Sequence, residues 1–351
     1  MNYLCDQDGA NRASRARASP AAGDLPQVMT DMNRDVTRAH LGMLLWALIV
    51  GLSFPLVGLV SEGLPPLLLT ALRFAIAAMA LLPLVWRAPD RWPGGPGLAL
   101  YAIMGACQAA FFGAMFWAAH RTTALSMAVL YVSVPLLAYC LGLGLRVEPP
   151  GGRLLVILTL GAAGALGLAW AETGGRLDGL QFGVGEAVYF AGCLASALYP
   201  VLSKWGLARR WLSEHAALRT FWSLVIGALL VSVLGLIEET PRALAGATVS
   251  DLLLLAHLGV VSSGVSFWLM QRATAALTPA TVTAYTYLTP FIAMLLLFAA
   301  EPARISWHWL PGALLVMVAV ALLLRRDAGG AATRQPAARR TSARSSPWSA
   351  S

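Results

Sequence analysis

The chain has 351 residues, of which 58% are hydrophobic and only 12% charged. Soluble domains carry about 25% charge, so the polar shell that water would require is missing, and two or three soluble domains of this length are excluded in favour of a membrane protein. The formal net charge of +8 does not point to nucleic acid, because the arginines lie in the tails and between apolar runs rather than along one face of a domain.

Residues 1–39 are polar and arginine-rich (NRASRARASP) and are expected to be a disordered cytoplasmic tail. They are not a signal peptide, since no small-residue cleavage site follows the first apolar run. Ten apolar runs follow at about 41–60, 65–86, 97–119, 123–145, 154–171, 183–203, 216–236, 252–270, 279–299 and 308–324. About 20 apolar residues cross a bilayer, and a backbone in hydrocarbon must satisfy its own hydrogen bonds, so each run is expected to be one helix. The alternating ten-residue pattern of a membrane barrel is absent. Residues 327–351 are rich in Ala, Ser and Arg, too poor in bulky apolar groups to form a core, and are expected to be a second disordered cytoplasmic tail. Of the cysteines, Cys5 falls in the first tail, and Cys107, Cys140 and Cys193 fall in apolar runs, with no metal-binding spacing.

The ten runs repeat after five. The second and seventh share ALR (Ala71–Arg73, Ala217–Arg219). The third and eighth share Phe-Trp (Phe116-Trp117, Phe267-Trp268) with an arginine four residues on (Arg121, Arg272). The fourth and ninth place tyrosine just before proline (Tyr131 and Pro135; Tyr285, Tyr287 and Pro290), and each is followed by Glu-Pro (Glu148-Pro149, Glu301-Pro302). The Trp-to-Pro spacing is four residues longer in the second half, about one helical turn, which a helix can absorb. Five is odd, so the second unit enters the membrane inverted. The fold class expected is an all-α polytopic membrane protein of ten transmembrane helices in two inverted five-helix repeats, residues 40–172 and 180–326. Inverted repeats place a binding site near the midplane and are a recurrent secondary-transporter plan.

With both termini inside, the tails and inner loops hold twenty Lys and Arg and the outer loops four (Arg121, Arg176, Arg242, Arg304), with Arg73 set aside inside a run. This orientation obeys the positive-inside rule.

These segments resemble the EamA-type families of the drug/metabolite transporter superfamily over about residues 41–326. VGLSFPLVGL is similar to the Trp-Gly-Ser-x-Phe segment of the family, with Val50 in place of the tryptophan and Trp46 a turn earlier. ALRFAIAA is close to its Leu-Arg-Phe pattern, and VSVPLLAY and YLTPFIAML to its proline segments. TFWSLVIGALL and WLPGALLVMVAVALLLRR also fit, whereas EPPGG at Glu148 departs from the usual Gly-Glu with an apolar continuation. The resemblance implies export or exchange of small metabolites such as amino acids, through a cavity lined by helices 1–4 and 6–9, with helices 5 and 10 peripheral. GAAGALG (Gly161–Gly167) in the fifth run suits close helix packing, either within the chain or across a homodimer.

Few groups inside the runs carry chemistry. Arg73 lies about nine residues into the second run, where a charge costs about 2.5–3.5 kcal/mol on insertion scales and needs a cavity or a partner. It is read either as an anchor for a substrate carboxylate or as a clamp on backbone carbonyls. Glu186, at the start of the sixth run, is read either as a proton-coupling carboxylate or as an acid favoured by the helix N-terminus. Pro135 and Pro290 each remove a helical hydrogen bond and are candidate hinges or static kinks. Ser53, Gln108, Tyr131, Tyr189, Ser266 and Tyr285, with Phe54 and Phe112, are the candidate lining of a site for a small polar solute. His257 is read as a helix–helix hydrogen bond. No Walker A loop, HExxH or GxSxG motif is present, and neither catalytic residues, metal ligands nor a cofactor are expected. The function expected is a secondary transporter that exports small metabolites across a bacterial inner membrane; the alternatives are an integral-membrane enzyme or a scaffold. Its partners would be the solute and the lipid bilayer.

Overall fold

In the computed structural model the described residues are 25–174, 180, 183–304 and 306–333. Among them run ten helices long and apolar enough to cross a membrane: α1 Arg34–Val57, α2 Pro66–Trp86, α3 Gly95–Ala119, α4 Leu125–Gly144, α5 Gly152–Glu172, α6 Val184–Ala208, α7 Ala216–Glu238, α8 Val249–Ala276, α9 Pro279–Ala300 and α10 Trp307–Asp327. The shortest, 20 residues, gives about 30 Å at 1.5 Å per residue, the thickness of a hydrocarbon core. Large apolar side chains such as Leu229, Ile237, Val249 and Leu253 are more than half exposed around the bundle, the inverse of a water-soluble surface.

Residues 39–325 form one compact unit. Part of the expected tails is helical, because the first helix begins at Leu25 and the last ends at Thr333. The remainder of both tails, including Cys5, lies outside the described residues.

Three of these helices depart from a plain α-helix within their length. The fourth run was expected to be continuous, but it is divided into Ala124–Tyr131 and Val134–Gly144 by a break at Val132 and Ser133. Pro135 cannot donate to the carbonyl of Tyr131, and its ring excludes that carbonyl from a regular turn. The ninth narrows to a 3₁₀ turn, Tyr285–Tyr287, just before Pro290. There the carbonyl of Thr286, freed by the proline, accepts the Thr289 hydroxyl at 2.7 Å. At the α4 break the Ser133 hydroxyl donates to the Leu130 carbonyl at 2.6 Å. In α9 a side chain thus replaces the lost ladder bond, as a backbone in lipid requires. The eighth widens to a π-helical segment, Leu258–Val265, whose counterpart in α3 is regular.

The packing repeats with the sequence. α2 packs on α7, and α4 on α9. α3 touches α6 and α7, while α8 touches α2 and, through Leu269 against Gly42, α1. Exchanging each helix with the one five further on maps this pattern onto itself, as a two-fold between inverted halves demands. Local devices match too. Thr123 donates to Ser126 at 3.1 Å at the start of α4, as Thr278 does to Thr281 at 3.0 Å at the start of α9. Arg121 stacks on Trp117 at 4.0 Å and Arg272 on Trp268 at 5.6 Å. The longer Trp-to-Pro spacing is taken up by α8, which continues eight residues past Trp268 where α3 continues two past Trp117.

The glycine face of α5 is used inside the chain. A Cβ on Gly164 would lie 2.7 Å from the Val316 nitrogen, one on Gly312 2.7 Å from the Leu168 nitrogen, and one on Gly161 2.4 Å from Tyr287. These backbones approach because nothing larger than hydrogen stands between them.

The end where α2, α4, α6, α8 and α10 begin is here the upper end. Carboxylates close helix starts at both ends. Glu239 accepts from the Leu67 and Leu68 nitrogens at 2.7 and 2.9 Å. Asp251 accepts from Ser61 and Thr248 through both carboxylate oxygens. At the lower end Glu148 accepts from the Ala280 nitrogen at 3.1 Å. The first N–H groups of a helix have no intrahelical acceptor, so each contact fills a vacancy the fold creates.

Candidate functional site

Arg73, Phe112 and Tyr131 each sit seven residues from the upper end of their helices, about 10 Å deep at the α-helical rise. Aromatic rings join the helices from this level inward. Phe111 lies 5.9 Å from Tyr131, 6.5 Å from Tyr189 and 5.2 Å from Phe112. Phe112 meets Phe74 edge-on at 5.2 Å, Phe74 meets Phe267 at 6.0 Å, and Phe267 meets Tyr199 at 5.8 Å. Four of these contacts are edge-to-face, a geometry in which rings hold one another's orientation. The chain from Tyr131 to Tyr199, here called the aromatic shelf, runs across α4, α3, α2, α8 and α6 and slopes inward to Phe267 and Tyr199, each nine residues from the lower end of its helix.

The shelf is loosely covered on one side. Residues 111–117 of α3 and 127–133 of α4 are all half-buried, two full turns of each helix. The α9 segment that corresponds to the start of α4, residues 279–289, is buried without exception. Both segments begin with the same threonine cap and reach their proline twelve residues later. Similar sequences therefore occupy two different environments.

The two repeat-related arginines differ in the same way. Arg219 is fully buried. Its Nε donates to the Gln271 side-chain oxygen at 3.1 Å, and its two terminal nitrogens donate to the carbonyls of Ser213 and Gln271 at 2.6 Å each. Ser203 donates to the same Gln271 oxygen at 2.6 Å. Arg73 is half-buried, and its buried Nε has no hydrogen-bond partner. The register explains this. Arg219 is the fourth residue of α7 and reaches a carbonyl in the connection before it, whereas Arg73 is the eighth residue of α2, one turn deeper.

Two more unsatisfied groups lie nearby. The Gln108 side chain on α3, one turn before Phe112, is buried with neither amide atom bonded, and its oxygen abuts Gly227 beside the Phe74 ring. The Ser263 hydroxyl, in the π segment of α8, is fully buried and unbonded. That segment rests on α2, with Gly259 against the Arg73 carbonyl and Gly264 against Ala77.

The EamA-like transporter family matches residues 37–170 and again residues 183–325, once on each half. The chain belongs to that family. This EamA-like protein is a multi-pass membrane transporter. It is also similar to a solved structure titled "Crystal structure of protein", at 19% identity and a TM-score of 0.67, over 84% of this chain and 97% of that one; this likeness bears on the fold alone. No curated protein matches the chain significantly.

Within the EamA-like bundle the candidate residues named from sequence fall into two groups. Gln108, Phe112, Tyr131 and Tyr189 gather on or beside the aromatic shelf, with Arg73 next to Phe74. The others are elsewhere or engaged. Ser53 donates to its own helix at Val50, 2.7 Å away, and Ser266 likewise to Ser262. Tyr285, fully buried, bonds His40 at 2.7 Å across α9 and α1. The side chain of Phe54 lies outside the described residues. Glu186 accepts from the Gly183 nitrogen at 2.8 Å and from the Thr122 hydroxyl, which makes it a cap that joins α6 to the end of α3. Pro135 and Pro290 sit at the two helix interruptions. Among the described residues no three of His, Cys, Asp and Glu cluster as a metal site.

Sequence reasoning did not single out Phe111, Phe74, Gln271 or His40. A phenylalanine in an apolar run carries no mark of contact, whereas Gln271 and His40 were legible as polar groups at the edges of runs. A separate apolar cavity of about 340 Å³ opens between α1, α5, α9 and α10, lined by Pro55, Leu168, Pro290, Met294 and Trp309 among others. None of its lining residues comes from α2, α3, α4, α6, α7 or α8.

Proposed function

We propose that this EamA-like protein is a secondary transporter that exports small, amino-acid-like metabolites across a bacterial inner membrane by alternating access, with both termini in the cytoplasm. One observation carries the reading: two halves of matched sequence are packed differently, so that α9 is buried along 279–289 while α4 is half-buried along 127–133. A two-fold plan held in an asymmetric arrangement has a partner arrangement of similar energy, in which the halves exchange environments. In the present one the upper end, outward by the arginine distribution, is the looser. The lower end is fastened by Glu148 to α9 and by His40 to Tyr285. The interruptions before Pro135 and Pro290 are the points where each half can bend. Solute would rest on the shelf near Gln108, Phe112, Tyr131 and Tyr189, between the two gates. Glu186 serves as a helix cap here, which favours facilitated diffusion or exchange over proton antiport.

Untargeted metabolite profiling of medium from cells that over-produce the protein, followed by counterflow of each enriched species in proteoliposomes, tests the proposal. Enrichment of defined species that the reconstituted protein then exchanges supports it. Folded protein that enriches nothing and exchanges nothing overturns it.

A further inference from the structure

We infer that the transported solute carries a carboxylate, and that Arg73, not its repeat partner Arg219, holds it. The inference rests on the transporter reading above and specifies its substrate class. Arg219 is fully buried, and its Nε and both terminal nitrogens already donate to Gln271 and Ser213, so no face of it is open to a solute. Arg73 has no hydrogen bond or ion pair among the described residues, and its Nε is buried. A guanidinium about 10 Å into the bundle cannot stay unpaired at low cost, because water no longer solvates it fully and no carbonyl replaces the water.

Among the described residues nothing supplies the missing anion. The described acids of the upper end either close helix starts, as Glu186, Glu239 and Asp251 do, or stand exposed at the rim. The remaining complement is a solute that enters from the half-open side. A guanidinium presents two parallel N–H groups that match the two oxygens of a carboxylate. The charge balance favours a single carboxylate: among the described residues one unpaired guanidinium sits at this level, and the one lysine, Lys204, is engaged at the other end of the bundle with the Ala275 carbonyl. The two other unsatisfied groups on the elements that flank Arg73, the Gln108 amide and the Ser263 hydroxyl, can bond the rest of the solute. The ring of Phe112, half-buried at the same depth, offers an apolar face for its side chain.

The test profiles medium from cells that produce the wild type, Arg73→Gln, Arg73→Lys or no transporter, with membrane levels and detergent-solubilised monodispersity as folding controls. Carboxylate-bearing species are expected to be enriched by the wild type, reduced about tenfold or more by Arg73→Gln and partly restored by Arg73→Lys. Purified wild-type protein is then challenged with each enriched species and with its carboxamide, and thermal unfolding is followed. The acid should raise the melting temperature and the carboxamide should not. Wild-type enrichment only of species that lack a carboxylate, undiminished export by a folded Arg73→Gln, or equal stabilisation by acid and carboxamide would each overturn the inference and leave the transporter reading standing. A folded wild type that enriches no species removes the transporter reading and this inference with it. Should Arg73→Gln fail to fold, the acid and carboxamide comparison on the wild type decides.

Discussion

Glu148, just past the end of α4, accepts a hydrogen bond from the backbone nitrogen of Ala280 in the first turn of α9, 3.1 Å away. The contact links the two repeats at the lower end, and there the packing around α9 is complete. Glu301 occupies the corresponding place after α9 and is exposed, whereas Glu148 is 4% exposed. Replacing Glu148 by Ala leaves a buried N–H without its acceptor, at a cost of about 1–3 kcal/mol borne by the closed lower end. The expected outcome is a shift toward opening there, read as faster maleimide labelling of a cysteine placed at Thr283 in Glu148→Ala than in an otherwise cysteine-free parent.

The unequal burial of the two halves has a direct readout. Ala128 and Thr283 hold equivalent positions, each five residues past a capping threonine. In membrane vesicles a cysteine at 128 is expected to label at least about tenfold faster than one at 283, and saturation with a transported species should narrow the ratio by shifting the population between states. Equal rates at both positions, insensitive to solute, would contradict the proposed cycle.

The two arginines should respond oppositely to removal. Arg219→Leu abolishes three charge-assisted hydrogen bonds and strands the Ser213 and Gln271 carbonyls, so a loss of about 2–4 kcal/mol is expected. Arg73→Gln removes a charge that has no partner to lose, and its thermal stability in detergent is expected to equal or exceed that of the wild type. Melting curves of the two variants, measured side by side, check the contrast.

At the contact between α5 and α10, Gly312→Ala would place a methyl group 2.7 Å from the Leu168 nitrogen and 2.9 Å from the Gly164 carbonyl oxygen. Backbone cannot yield as a flexible side chain can. A destabilisation of about 1–3 kcal/mol is expected, visible as a lower melting temperature, whereas Gly246→Ala, with nothing within 4 Å of its Cβ, should be silent.

Much of the fold was written in the order of residues. Ten apolar runs could only be helices, because hydrocarbon offers a backbone no other partner. The repeat showed in ALR, in Phe-Trp with its following arginine and in Glu-Pro; the structure gives the second the same packing role twice, an arginine stacked on its tryptophan, and the other two different roles in the two halves. Pro135 and Pro290 marked where helices are interrupted, though not that α4 would divide entirely. The π segment of α8, which rests on α2 through Gly259 and Gly264, left no trace in the sequence, because LGVVSSGV is as apolar as a regular turn. The candidate site was legible in part. Tyrosine, glutamine and arginine stand out in an apolar run, but whether a hydroxyl faces a solute path or its own backbone, as for Ser53 and Ser266, depends on rotamer and neighbours.

The sequence by itself determined the solvent, the ten crossings and the inverted duplication, since these follow from hydrophobic length and from a pattern that recurs after an odd number of helices. Only the tertiary structure decided which of two equivalent segments is enclosed and which of two equivalent arginines is saturated. Matched sequences encode both packings nearly equally. The choice between them rests on contacts between helices far apart in the chain, such as Glu148 with Ala280 and Arg219 with Gln271, that no local pattern records.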